Sequence, residues 1–361
     1  MNRRRRVLGG LSALSALWLA ACGGSGSGSG DAGSAAQPNL GGTGPNTPGS
    51  DASGTSGYGN FSGADLGPIA ALKGAVAFPP DNPWNLNVAS RAVDPNSDAL
   101  IASIGLDVGL HADFGAGLLD GAPFGIPYTV VAGNQAKVPI NFTAYGNESD
   151  PGPYPVPANA PIEGGPSSTG DRHVLVIDRD NQRLYELGRA FPNADGSWNA
   201  DVGAVFDLKS NRVRPGGQQG WTSADAAGLP IFAGLARYEE AALGPGGIRH
   251  ALRFTVVRSR KAYVPPAAHW ASARTDANLP PMGMRVRLKA SYVVPATFSK
   301  ETRALLTAMK TYGMIMADNG SNWYVSGTPD DRWNNDALVS ELRQVRGRDF
   351  EVLRMDGLVA P

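Results

Sequence analysis

The chain has 361 residues, and its 32 Lys and Arg balance 32 Asp and Glu, so the formal net charge at pH 7 is zero with His neutral. That balance leaves no electrostatic stripe for a nucleic acid, and polyanion binding would have to rest on a local patch. One Cys excludes an internal disulfide, and the length allows one large domain or two smaller ones.

The N-terminus reads as a targeting segment. Arg3 to Arg6 form a positive region, and the "VLGGLSALSALWLA" after it is too short and too interrupted by Gly and Ser to span a membrane. It ends in "LAAC", Leu19 to Cys22, which resembles the lipobox of bacterial lipoproteins. The resemblance implies that residues 1–21 are a cleaved signal peptide. It also implies that the Cys22 sulfur carries an acyl chain such as palmitate, which makes the membrane a partner. Gly23, where inner-membrane lipoproteins carry Asp, implies the outer membrane within the cell envelope. "RRRRVL" also resembles a twin-arginine export signal, so both export routes stay open.

Residues 22–67 are mostly Gly, Ser, Ala, Thr, Pro and Asn, with few aliphatic side chains. Such a segment buries too little apolar surface to offset its ordering entropy, and about 45 flexible residues reach about 35–40 Å. It is expected to be a tether, with a single globular domain at 68–361. In that domain "FPPDNPWNLNV" is extended, and "SDALIASIGL" reads as a short helix capped by Ser97. "IPYTVVAG" and "KVPINFTAYG" flank the turn residues "GNQA", and "RHVLVIDRDNQRLYELGRA" is the clearest hairpin. "GAVFDL", "IRHALRFTVV", "KAYVPP", "MGMRVRLKASYVV", "YGMIMA", "NWYVSG" and "DFEVLRM" add strands. "SKETRALLTAMKTY", capped by Ser299, and "WNNDALVSELRQV" are helical. Strands outnumber helices without βαβ alternation, which predicts a mostly β, α+β domain of sandwich type with peripheral helices.

Motifs of known chemistry are missing. The chain has no phosphate-binding Gly loop, no HExxH, no CxxC and no GxSxG. No cofactor is implied, and the four His are too dispersed to predict a metal site. The candidates are polar residues set in strands or Gly-rich turns. His111 and Asp113 in "GLHADFGAG" share a face if extended, or Asp113 closes a local turn. Asp171 and His173 in "GDRHVLVID" form an acid/base pair or a sheet-edge hydrogen bond. Glu148 and Tyr154 lie in "YGNESDPGPYPVP", where carboxylates beside aromatics suit a sugar; Asp207 ends a strand.

"WTSADAAGLPI" reads as one helical turn started by Ser223 and stopped by Gly228, with Asp225 in its first turn and Trp221 beside it. His250 alternates with Leu252 and Phe254 on an apolar face, either as a core His or at a cleft edge. "DNGS" signals a hairpin, or else a polar rim where Asp318 is joined by Trp323 as a sugar platform. The segments "WTSADAAGLPI", "IRHALRF" and "YGMIMADNGSNWYVSG" resemble a family of secreted bacterial proteins, a likeness that brings no activity and no residue roles with it. The expectation is therefore a lipid-anchored surface protein that binds or cleaves a polysaccharide. Asp113, Asp225, His250, His173 and Asp207 are the catalytic candidates. Glu148, Tyr154, Trp221, Asp318 and Trp323 are the binding candidates. A non-catalytic envelope protein and a metal-dependent hydrolase are the alternatives.

Overall fold

The computed structural model describes residues 57–361; the signal peptide, Cys22 and most of the tether lie outside the described residues. Its principal strands are β1 (Gly67–Pro68), β2 (His111–Asp113), β3 (Tyr128–Val131), β4 (Val174–Asp178), β5 (Arg183–Gly188) and β6 (Val202–Asp207). They continue with β7 (Leu252–Val256), β8 (Arg285–Leu288), β9 (Met314–Asn319), β10 (Tyr324–Ser326) and β11 (Phe350–Val352). The helices are α1 (Ser97–Ile104), α2 (Tyr238–Ala241), α3 (Lys300–Thr311) and α4 (Asn335–Leu342). A five-stranded sheet runs β1-β3-β4-β5-β6, and a six-stranded sheet runs β11-β8-β9-β7-β10-β2. The fold is mostly β, in the α+β class, as the strand-rich pattern predicts.

Local chemistry accounts for the elements that form as expected. The β4–β5 hairpin pairs Val174 with Leu187 through Asp178 with Arg183. Its Asp178 carboxylate accepts from the Asn181 backbone N–H at 3.0 Å, closing the turn. Helix α3 starts at Ser299, whose hydroxyl accepts from the Thr302 N–H, and it buries Leu305, Leu306 and Met309. Buried side chains of both sheets join one continuous apolar cluster, from Leu175, Ile177 and Phe206 to Phe254, Met316 and Val352.

Other elements depart from the local signals. The residues "DNGS" do not make a hairpin, because β7 lies between β9 and β10. The connection crosses the end of β7 instead: the Gly320 N–H donates to the Val256 carbonyl at 2.8 Å, and the Val257 N–H donates to Asn322 Oδ1 at 2.7 Å. The turn residues thereby cap a third strand. Likewise Ile140–Phe142 leaves β3 and pairs in parallel with Trp198–Ala200 in a separate three-stranded sheet. In "KAYVPP" only isolated bridges from Tyr263 form. Helix α1 is preceded by Asn96 as its cap residue, and Ser97 is buried, its hydroxyl accepting from the Val352 N–H.

The folded body also reaches back to Gly57, ahead of the boundary expected at 68. Phe61 is fully buried, 5.9 Å from the Phe232 ring, and the Tyr58 hydroxyl donates to the Arg249 carbonyl. These two aromatics dock this Gly-rich stretch together with backbone bonds, the Gly59 N–H donating to the Val76 carbonyl at 2.8 Å and the Phe61 N–H to Gln182 Oε1 at 2.8 Å. Among the described residues, no helix is long and apolar enough to cross a membrane.

Candidate active site

Strand pairing gathers a polar row on one face of the six-stranded sheet. Ser326 of β10 is in register with Asp113 of β2, and Tyr324 with His111. Tyr324 also pairs with Thr255 of β7, and Thr255 pairs with Asp318 of β9, just past a register shift. Registered residues share a face, and residues two apart along a strand return to it. His111, Asp113, Tyr324, Ser326, Arg253, Thr255 and Asp318 therefore project to the same side, while Ala112, Val325 and Phe254 enter the core.

Arg253 is the centre of this face. It is 4% exposed and donates from Nη1 to Ser326 Oγ at 2.7 Å and from Nη2 to Asp225 Oδ2 at 2.9 Å. Asp225 is fully buried, and its Oδ1 also accepts from the Ala227 N–H at 3.3 Å. The segment carrying Asp225 is not a helical turn. Ser223 donates to the Leu229 carbonyl at 2.6 Å and accepts from the Asp225 N–H at 3.0 Å, which folds the chain into a tight loop. Gly228 closes that loop at φ 72°, where a Cβ would sit 2.6 Å from the Trp221 carbonyl oxygen.

His173 holds the same loop from the side of the five-stranded sheet. Its Nδ1 lies 2.5 Å from Glu163 Oε2 and its Nε2 lies 2.9 Å from the Ala224 carbonyl oxygen. Both partners are acceptors, so both ring nitrogens must carry hydrogen and the ring is an imidazolium. Burial by itself would lower the His173 pKa, but the Glu163 carboxylate and its hydrogen bond raise it to about 10. For Glu163 burial pulls upward, and the His173 charge overrides it to hold the carboxyl below its usual value.

The sign of the pH effect follows. The Glu163 contribution is lost as pH falls below the carboxylate's ordinary 4.5. The His173 contribution is complete below 6.5 and is lost as pH rises through about 10. His173→Gln should therefore destabilise the chain by roughly 1.5–3 kcal/mol between those limits, since it removes a charge-assisted hydrogen bond to a half-buried carboxylate. The deficit should shrink toward pH 10, and urea denaturation across that range measures it. A deficit independent of pH would mean that His173 is neutral.

Burial shifts the other carboxylates upward. Asp113 lies at the open end of the row, yet the surrounding protein, followed by the Glu163 charge, pushes it up to about 6. Asp318 is half-buried, and burial and then the Asp225 charge push it up to about 7. Asp225 is raised by burial, with Arg253 pulling the other way. Asp171 is exposed, and its charge raises both Asp113 and Asp318. Behind the site Glu186 is fully buried and braces the Asp225 loop, accepting from the Ile231 and Phe232 N–H groups at 2.9 Å each.

The structure thus brings Asp113, Asp225, Asp318 and His173 together and places the other candidates elsewhere. His250 is buried beneath the opposite face, where Arg237 Nη2 donates to its Nε2 at 2.8 Å and to Glu240 Oε1 at 2.7 Å. Asp207 pairs with Arg183 at 3.0 Å at the far end of the hairpin sheet. Glu148 Oε2 accepts from the Thr222 N–H at 2.9 Å, and Trp221 lies against Arg214, whose guanidinium is 5.4 Å from the ring centroid. These two brace the loop from behind. Tyr154 is fully buried and donates to the Asp150 carbonyl at 2.8 Å. Trp323 is fully buried between Phe254 and Phe350, at 5.5 and 5.1 Å, so it offers no platform to a sugar.

Arg253, Glu163, Ser326 and Glu186 are members that motif reading does not find. The one sequence signal for Arg253 is alternation, which sets it on the strand face opposite His250. The four His are scattered among these environments, with His269 donating from Nδ1 to the Ala226 carbonyl at 2.8 Å on the outer side of the loop. Among the described residues, no three His, Cys, Asp or Glu side chains are grouped to hold a metal ion. No family model matches this chain, and no curated protein or solved structure is significantly similar to it.

Proposed function

We propose that this protein is a lipid-anchored envelope protein, exported like the secreted family it resembles, whose β-rich, sandwich-like domain hydrolyses a polysaccharide by carboxylate acid/base chemistry. The observation that carries the reading is the pair Asp113 and Asp318, two carboxyls on one sheet face, raised toward neutrality on either side of Arg253. Glycoside hydrolysis needs one carboxyl protonated to release the leaving group and one ionised to act on the other side of the sugar. Asp318, with the higher pKa, is the acid. Asp113, at the open end, is the base that activates water. Asp225 and Arg253 are positioning residues, since Asp225 is sealed from any substrate.

Asp113 and Asp318 stand on strands three steps apart in the sheet, and at about 4.8 Å per step their backbones are separated by about 14 Å. That backbone spacing is far outside the 5–5.5 Å of a retaining pair, and it reaches the roughly 6.5–9.5 Å of an inverting pair only with the two side chains leaning toward each other across Arg253. The test is release of reducing ends by the full chain from a panel of starch, laminarin, xylan, mannan and chitosan. No release from any glycan overturns the hydrolase, and binding without release supports a non-catalytic carbohydrate-binding protein. In cells, palmitate labelling should be lost in Cys22→Ser, and labelling that persists overturns the anchor.

A further inference from the structure

The Asp113–Asp318 row contains an aromatic pair that no motif singles out. Tyr324 of β10 and His111 of β2 stack with centroids 4.1 Å apart and planes 9° from parallel. Both are half-buried. The sheet order puts Tyr324 between the strand of Asp113 and the strands of Arg253 and Asp318. Its register partner Thr255 is a small residue covered by the Gly320 backbone, so the tyrosine stands as the large side chain of the row. Its hydroxyl has no hydrogen-bond partner among the described residues. The His111 ring holds the tyrosine upright from one side, and its buried Nδ1 is also without a partner. Burial and then the Arg343 charge lower its pKa, so the ring is neutral at pH 7. The rigid, partly exposed aromatic that Trp323 and Tyr154 do not provide is therefore present one residue along the strand.

The charges around this pair select against anions. Asp113, Asp171, Asp225, Asp318 and Glu163 outnumber the cations Arg253, His173 and Arg343, of which the first two are engaged by Asp225 and Glu163. A uronate, sulfate or phosphate on the sugar would meet these carboxylates with Arg253 and His173 already engaged and the exposed Arg343, whose charge reaches His111, as the offsetting cation. An uncharged ring, with an apolar C–H face to stack and hydroxyls to donate to carboxylates, meets no such penalty.

Building on the hydrolase reading, we propose that Tyr324, backed by His111, is the platform on which an uncharged pyranose unit of the glycan stacks between Asp113 and Asp318. The experiment compares wild type, Tyr324→Leu and Tyr324→Phe as full chains, each checked for its wild-type melting temperature. KM and kcat are measured on whichever neutral glycan of the panel is cleaved, and binding is measured in the Asp318→Asn background. Tyr324→Leu fills the volume without a π face and should raise KM and Kd about tenfold with kcat within about twofold. Tyr324→Phe should recover most of that loss, and polygalacturonate should neither bind nor be cleaved. An unchanged KM and Kd in Tyr324→Leu, or cleavage of polygalacturonate on a par with the neutral glycans, overturns the platform while leaving the hydrolase standing. A wild type that neither binds nor cleaves any glycan overturns both.

Discussion

Asp318→Asn should abolish most glycan hydrolysis, lowering kcat by about 10²–10⁴-fold, the usual worth of a positioned general acid. The side chain keeps its shape and its acceptor for the Asn319 N–H at 2.6 Å, so the fold should survive and the loss should appear in kcat more than in KM. Asp113→Asn should cause a loss of similar size by removing the base. The wild-type profile should be bell-shaped, because the base must be ionised and the acid protonated. Activity should fall on the acid side as Asp113 takes up its proton near about 6 and on the alkaline side as Asp318 loses its own near about 7. In Asp318→Asn the alkaline limb should vanish from whatever activity remains. The same kcat in the variant and the wild type at pH 6.5 would remove Asp318 from the chemistry.

The second large effect is on stability. Arg253→Met should cost about 3–5 kcal/mol, because it strands the Asp225 carboxylate where no water reaches it. For a domain of this size the melting temperature should drop on the order of 10 °C. The loss should be non-additive: Asp225→Asn combined with Arg253→Met should be more stable than Arg253→Met alone, since the unpaired charge is then gone. Calorimetry on the four proteins closes the cycle. A zero coupling energy would show that the pair carries no mutual stabilisation and that the loop is held by its backbone contacts alone. Raising the pH should worsen Arg253→Met, since the lone Asp225 can remain protonated only at low pH.

These two residues also mark how far the sequence can be read. Asp318 is visible as a polar residue closing an apolar strand, and Asp113 as a carboxylate beside Gly residues. Neither carries a sign that they share a face, because that depends on β7 entering between β9 and β10, a long-range pairing that the local "DNGS" signal argues against. Trp323 and Tyr324 show the same limit at one-residue resolution. Strand alternation places them on opposite faces, but only the packing of Phe254 and Phe350 decides that the tryptophan is the buried one. His250 and His173 look alike in sequence, each a His at the start of an apolar strand. Their roles diverge because one meets Arg237 and Glu240 in the core and the other meets Glu163 beside the Asp225 loop.

What the amino-acid sequence determined alone was whatever rests on neighbouring residues. The lipobox-like "LAAC" and the low-hydrophobicity tether carry the proposal of an anchored surface protein. Alternation and turn chemistry specified the β4–β5 hairpin, the capped helix α3 and a mostly β domain. The tertiary structure alone decided which carboxylates meet, since their pKa values depend on how much protein surrounds them and on charges distant in sequence. Asp225 was legible as a residue in a turn. Only the fold buries it against Arg253, because a buried charge is tolerated where a partner arrives from another strand.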